Sequence, residues 1–247
     1  MKVEELERYG KSLETLPKGV LKKQMGIMIR GIRNKYGILG IGPFFFKTML
    51  EQRALKKNYP EAYKETLAIS KDAANEVTML IAMFNVVARK EGRDKAYEFV
   101  KGIFQEIAVL SMPAFYQIDD LVKCEGDVYD NFMKFNKAWF EAMQQAGTYE
   151  IQTNRIEGDE QTIIVTRCAN CVLGQRFDCP EISKLGCDHD LAGYPVIADR
   201  VNMEFRRPHA MAKGDDYCDF HFYRKGTSPD MMEIDDQMVK WDESLNK

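Results

Sequence analysis

The chain has 247 residues, 45% hydrophobic and 30% charged, with a formal net charge of −3. Mixed charge and an ordinary apolar content exclude disorder and fibrous repeats, and the length suits one large domain or two small ones. The longest apolar runs, 37–46 and 77–88, fall short of the roughly 18 residues that span a bilayer, so no membrane association is expected.

Residues 1–146 read as a helical region. Met25, Ile29 and Ile32 recur at helical spacing and are interleaved with Lys22, Lys23, Arg30, Arg33 and Lys35. Residues 1–60 hold 13 Lys and Arg against 5 Asp and Glu. That excess reads as the solvated face of an amphipathic helix, and nucleic acid is not an expected partner because no recognition motif accompanies it. The 37–43 stretch (GILGIGP) breaks the periodicity, and a helix is expected over 44–57. Pro60 suits the first turn of the next helix, which runs to about Arg89. Further helices are expected from Gly92 to about Leu110 and over 128–145, the last closed by Gly147.

After Gly147 the period shifts towards two. Residues 148–156 and 161–168 flank Glu157-Gly158-Asp159-Glu160 as a hairpin. Residues 168–191 read as loop with short helical pieces. A third strand is expected over 196–207 and a fourth over 217–224, with Cys218, Phe220 and Phe222 on one face and Asp219, His221 and Tyr223 on the other. The expected fold class is α+β, an N-terminal helical layer packed on a C-terminal four-stranded antiparallel sheet. Residues 147–225 would form a Cys/His-rich β region packed with 1–146 as one domain. Residues 226–247, with six Asp and Glu against two Lys, would form an acidic tail with a short docked helix around 237–245.

Sulphur and imidazole are unevenly placed. Five of six cysteines and all three histidines lie between Cys168 and His221. Glu4, Glu5 and Glu7 without an apolar run behind them give no secretory signal, so a cytoplasmic location and reduced thiols or metal ligands are expected. Cys168-Ala-Asn-Cys171 is a CxxC, but no second pair follows, and no helix is expected to open directly after the strand, which argues against thiol–disulfide exchange. The ligand types suit zinc held by a subset of Cys168, Cys171, Cys179, Cys187, His209 and Cys218. The alternative is that several are small buried thiols. Cys187-Asp188-His189-Asp190 could supply a nucleophile and a proton shuttle, and helical spacing puts Cys187 and Asp190 on one face without His189.

Arg167-Cys168, Cys187-x-x-Asp190 and Gly214-Asp215-x-x-Cys218-Asp219-Phe220-x-Phe222 occur in an order that resembles the L-2-amino-thiazoline-4-carboxylic acid hydrolase family. The closing element is also similar to that of vinyl-reductase-type small-molecule-binding domains, where a further cysteine stands at the position of Ala210; its absence here weakens an inherited zinc site. The resemblance implies hydrolytic opening of a cyclic amidine or thiazoline amino acid in a pocket between helices and sheet. It implies Cys187 or Cys218 as thiolate or as ligand of zinc-bound water, Asp190 or His189 as proton shuttle, and Arg206 or Arg167 as the carboxylate-binding group, with Asp219 and His221 also against the substrate. The partner is then a small-molecule substrate, with homo-oligomer formation open. The competing reading is a small-molecule-binding or sensing module with a structural zinc site.

Overall fold

The structure, a computed structural model, describes residues 1–11, 16–69 and 71–229, and the side chains of 71–73 lie outside that description. The expected acidic tail and its docked helix at 237–245 therefore fall outside the described residues. The chain is α+β, with seven helices preceding a four-stranded antiparallel sheet and two more between its second and third strands among the described residues. It divides into two compact units, Leu16–Ser111 with Asn170–Ala192, and Met1–Thr15 with Met112–Ala169 and Gly193–Lys247.

In the all-helical unit, α1 (Lys18–Tyr36) and α2 (Ile38–Asn58) meet at Gly37. Gly37 has φ 73°, a left-handed conformation that glycine adopts without steric cost. The break is confined to that residue. Gly40, Gly42 and Pro43 lie inside α2, because Phe44, Thr48, Glu51 and Leu55 form a buried stripe at helical spacing that outweighs local propensity. Two helices, α3 (Pro60–Ile69) and α4 (Lys71–Glu91), occupy the stretch expected to be one. Glu51 is buried and satisfied by Asn85 Nδ2 at 3.0 Å and by Arg89. Within the unit α1 packs close to α5 (Arg93–Phe115), and a Cβ added at Gly31 would meet Ile103 at 2.8 Å.

The sheet unit is built on α7 (Val128–Gln145), preceded by the single turn α6 (Ile118–Leu121). Asp127 caps α7 by accepting the Asp130 N–H at 3.0 Å. The sheet comprises β1 (Tyr149–Glu157), β2 (Glu160–Cys168), β3 (Met203–Arg206) and β4 (Cys218–Arg224) in the order β1-β2-β4-β3. Ile163, Val165, Phe220 and Phe222 are buried. Two of them meet α7 directly, Phe220 against Phe140 and Phe222 against Phe132. A polar chain also crosses this layer. Asn136 accepts from the Tyr116 hydroxyl at 2.7 Å and donates to Gln161 Oε1 at 3.0 Å, and Gln161 donates to Asn154 at 2.9 Å.

Three differences from the sequence reading matter. β2 runs straight into α8 (Ala169–Arg176), so Cys168 immediately precedes a helix and Cys171 lies in its first turn. Residues 168–191 are largely helical, with α9 (Glu181–Ala198) following α8. The third strand is only Met203–Arg206, because α9 continues through Pro195 to Ala198. Tyr194 and Ile197, three apart, are both buried, and Pro195 faces solvent, so the helical stripe prevails over the proline. Asn202 then takes φ 54°, a left-handed turn that asparagine tolerates, and leads into β3.

Candidate functional site

The strongest polar constellation lies on the face of the sheet away from α7. Alternation along β4 turns Cys218, Phe220 and Phe222 to one side and Asp219, His221 and Tyr223 to the other. Antiparallel register then brings Thr162 of β2 and Arg206 of β3 opposite His221, and Glu160 opposite Tyr223. Residues 59 positions apart (Thr162 and His221) and 63 apart (Glu160 and Tyr223) thus share one surface.

The loop between β3 and β4 completes this surface, and the residues of the closing motif shape it. A 3-10 turn over Met211–Lys213 ends at Gly214, whose φ of 105° favours glycine. Asp215 Oδ2 accepts the Ala210 N–H at 2.7 Å, and Cys218 Sγ accepts the Met211 N–H at 3.3 Å. Asp219 Oδ1 accepts the His209 N–H at 2.7 Å, and its Oδ2 lies 2.8 Å from His209 Nδ1. Each polar member of Gly214-Asp215-x-x-Cys218-Asp219 therefore folds the loop back so that His209 rests on Asp219.

Four groups form a continuous line. Asp219 Oδ2 also lies 3.4 Å from His221 Nε2, while His221 Nδ1 is 2.9 Å from Glu160 Oε1. Thr162 donates to the same Glu160 oxygen at 2.7 Å. Tyr217 and Tyr223 flank the line, with ring centroids 5.0 Å from His209 and 6.0 Å from His221. Burial alone would raise the Asp219 carboxyl, but hydrogen bonds from His221 and from the ring and backbone of His209 outweigh it and hold the group below the usual range. Glu160 is likewise held down, its burial outweighed by His221 and Thr162. Burial would lower His221, yet the two carboxylates hold it above its ordinary value. The side chain of Asp219 is 6% exposed and that of His209 is 44% exposed. Nδ1 of His209 faces the buried carboxylate, so its Nε2 is the ring nitrogen away from Asp219, on an accessible side chain.

A second constellation lies wholly in the helical unit. Asp188 on α9, almost fully buried, accepts a hydrogen bond from the buried Tyr97 of α5. Cys187 is buried beside it in sequence, and the Lys101 ammonium lies 6.0 Å from the Tyr97 ring. The Cys187 and Asp190 pairing expected from helical spacing is not the buried one. Asp190 and His189 are both partly exposed, 3.8 Å apart, and the carboxylate buried with Cys187 is Asp188. Only side-chain burial could have shown this.

The remaining expected residues are dispersed. Arg167 is half-buried at the far end of β2, 3.7 Å from Glu150. It lies five residues from Thr162, on the order of 17 Å along the strand. Arg206 is buried on the same face as His221, and its Nη1 donates to the Phe205 carbonyl at 2.8 Å. Cys187 and Cys171 belong to the helical unit, and Cys168 and Cys218 to the sheet unit. All six cysteines are thiols. Cys179 is wholly buried, and burial pushes its thiol up to about 12. Among the described residues no three His, Cys, Asp or Glu side chains are grouped so as to hold a metal ion.

A model of the L-2-amino-thiazoline-4-carboxylic acid hydrolase family matches residues 72–222, which include both constellations. The chain belongs to that family. For this hydrolase-family chain, no curated protein matches. Two solved structures are similar at low level. One comes from work on heme distortion in the H-NOX family, and the other is an oxygen-binding H-NOX domain related to soluble guanylate cyclases, as its oxygen complex. Each is 12% identical and covers 84% of this chain and 95% of its own, with TM-scores of 0.35 and 0.32. Likeness at that level carries no argument. Among the described residues no helix is long and apolar enough to cross a membrane.

Proposed function

We propose that this member of the hydrolase family opens a cyclic amidine or thiazoline-type amino acid by adding water across the ring C=N bond. The observation that carries the reading is the His209–Asp219 pair, an accessible imidazole held by a buried carboxylate. His209 Nε2 takes a proton from water as its oxygen bonds to the amidine carbon. The imidazolium, stabilised by Asp219, passes that proton to the ring nitrogen, giving a tetrahedral carbon that bears the hydroxyl and the N–H; His209 then takes the hydroxyl proton as the C=O forms and delivers it to the same nitrogen as the C–N bond breaks. The product retains the sulphur–carbon bond and gains a free α-amine. Arg206, opposite His221 across the β3–β4 pair, is the cation of this face suited to the substrate carboxylate.

Family membership and this geometry support the water route above thiol attack. Cys218 is turned to the opposite face of β4, and the Cys187 thiol is buried. The test is turnover of 2-amino-thiazoline-4-carboxylate by the full chain, followed by NMR of the released amine. His209→Ala is expected to lose about 10²–10⁴-fold in kcat, and Cys187→Ser and Cys218→Ser to retain most of it. Loss of turnover in Cys187→Ser with folding intact would transfer the chemistry to the thiol. Absence of turnover with any cyclic amidine or thiazoline would end the hydrolase reading.

A further inference from the structure

His221 stands on β4 between β2 and β3, and both of its ring nitrogens face carboxylate oxygens. Nδ1 is 2.9 Å from Glu160 Oε1, and Nε2 is 3.4 Å from Asp219 Oδ2. A neutral imidazole has one N–H and one bare nitrogen, so one of these contacts would set a lone pair against an anion. The imidazolium donates to both. Burial acts to discharge the ring, and the hydrogen bonds to Asp219 and Glu160 outweigh it, holding the group above its ordinary 6.5. Asp219 Oδ2 is therefore shared, since it also lies 2.8 Å from His209 Nδ1.

The other charged and titratable groups of this face are engaged elsewhere or uncharged. On β3, Glu204 accepts from the Gly226 N–H and the Ser228 hydroxyl, and Arg206 stands opposite His221. On β1, Arg155 and Glu157 pair with each other at 3.3 Å. The Tyr223 hydroxyl is 3.5 Å from His221 Nδ1, and burial together with the Glu160 charge pushes that phenol up to about 12, so it stays neutral. In the loop, Lys213 donates to the Pro208 carbonyl and Asp215 accepts the Ala210 N–H, while the Tyr217 hydroxyl is 3.5 Å from His209 Nδ1.

We infer that His221 is a positioning residue for the reaction, a resident imidazolium that shares Asp219 with His209 and keeps His209 a free base to lower pH than Asp219 alone would. This assignment rests on the base role proposed above for His209. A carboxylate beside an imidazole favours the charged ring, which would leave the base already occupied by a proton. A second cation on the same carboxylate oxygen opposes that charge. Glu160 acts one step further out, by keeping His221 charged.

The chain has three histidines, so nitrogen-15 NMR of their rings in the full chain resolves each one. At pH 6.5, the ordinary midpoint, more than half of His221 is expected to carry protons on both nitrogens. Glu160→Gln should release the second proton at lower pH than wild type. His221→Gln should keep the His209 ring protonated to higher pH. It should also move the acid limb of kcat/KM on 2-amino-thiazoline-4-carboxylate up by about 0.5–1 pH unit, with plateau kcat changed less than about tenfold. His221→Lys restores a cation and should bring the limb back towards wild type. A wild-type His221 ring with a single proton at pH 6.5 overturns the assignment without any variant. So does a folded His221→Gln chain whose His209 ring and acid limb titrate as in wild type, since a merely structural role lowers kcat without moving either. Absence of turnover beside a shifted His209 ring would end the hydrolase reading and leave the coupling of the two rings standing.

Discussion

Asp219 grips His209 twice, through the backbone N–H at 2.7 Å and through ring Nδ1 at 2.8 Å. The double contact fixes both where the loop sits and which way the imidazole faces. Asp219→Asn keeps the shape but reverses the hydrogen-bond polarity at one oxygen, favouring the wrong tautomer. A fall of about 10²–10⁴-fold in kcat is expected, with KM changed far less, because the carboxylate acts through His209. Steady-state kinetics on the thiazoline substrate check this, and a KM-dominated effect would contradict it.

The imidazole between Asp219 and Glu160 makes stability depend on pH. His221 is held above its ordinary 6.5, so its contribution is complete below that value and is lost as pH rises through the folded one. Asp219 and Glu160 are held below 3.8 and 4.5, so theirs is present above those values and lost as pH falls. Urea denaturation of wild type and His221→Gln should therefore differ most between about pH 4.5 and 6.5. A difference that grew above neutrality would reverse the sign of the argument.

Asn136 links Tyr116 to Gln161 in a fully buried position, and each partner relies on it. Asn136→Ala leaves both the hydroxyl and the amide short of a partner at the α7–sheet contact. It should destabilise by about 1–3 kcal/mol in urea unfolding, a larger effect than an exposed substitution on the same helix such as Lys134→Ala.

Tyr97 donates to Asp188 in the interior of the helical unit, whereas Asp190 and His189 are partly exposed. Removing the phenol oxygen in Tyr97→Phe should cost about 1.5–3 kcal/mol, because it takes a donor from a buried acid. Asp190→Ala should shift the unfolding midpoint little. Equal midpoints for the two variants would refute the assignment of Asp188 as the structural carboxylate.

Thiol reactivity should follow burial. Cys179, wholly buried with its thiol pushed up to about 12, should resist alkylation at pH 8 until the chain unfolds. Cys168 and Cys171 are only half-buried and should label first, a pattern that mass spectrometry of the native protein resolves.

What could be read from residue order was whatever is settled by local pattern. The 128–145 helix was legible because Gly147, with φ 75°, closes it, and the β1–β2 hairpin because Gly158 sits in its turn with φ 58°. Alternation along β4 correctly separated Asp219 and His221 from Cys218 and Phe220. Glu160 was missed as a site residue, since only strand register places it beside His221 across 61 positions. Asp188 was missed because it stands one residue from Cys187, where a helix turns successive side chains about 100° apart, whereas Asp190 stands three away on the same face. The 37–43 stretch was read as a break and 196–198 as strand, although buried stripes on α2 and α9 hold those segments helical. Exposure of Met25 and Ile29, on the stripe that Ile32 buries, was also illegible, since periodicity shows that a stripe exists and not what covers it.

The sheet order β1-β2-β4-β3 places the last strand among the described residues in an interior position, between β2 and β3. On a ribosome adding about 5–20 residues per second, Asp219 emerges some 3–12 s after Glu160. Until then the exposed edge of β2 has no neighbour on that side, and Glu160 has no histidine beside it. A nascent chain halted before Cys218 would hold its hairpin and α7 yet have an unsealed edge, open to pairing with another chain. Assembly of the acid–imidazole line and protection of that edge are therefore one event, set by the arrival of seven residues.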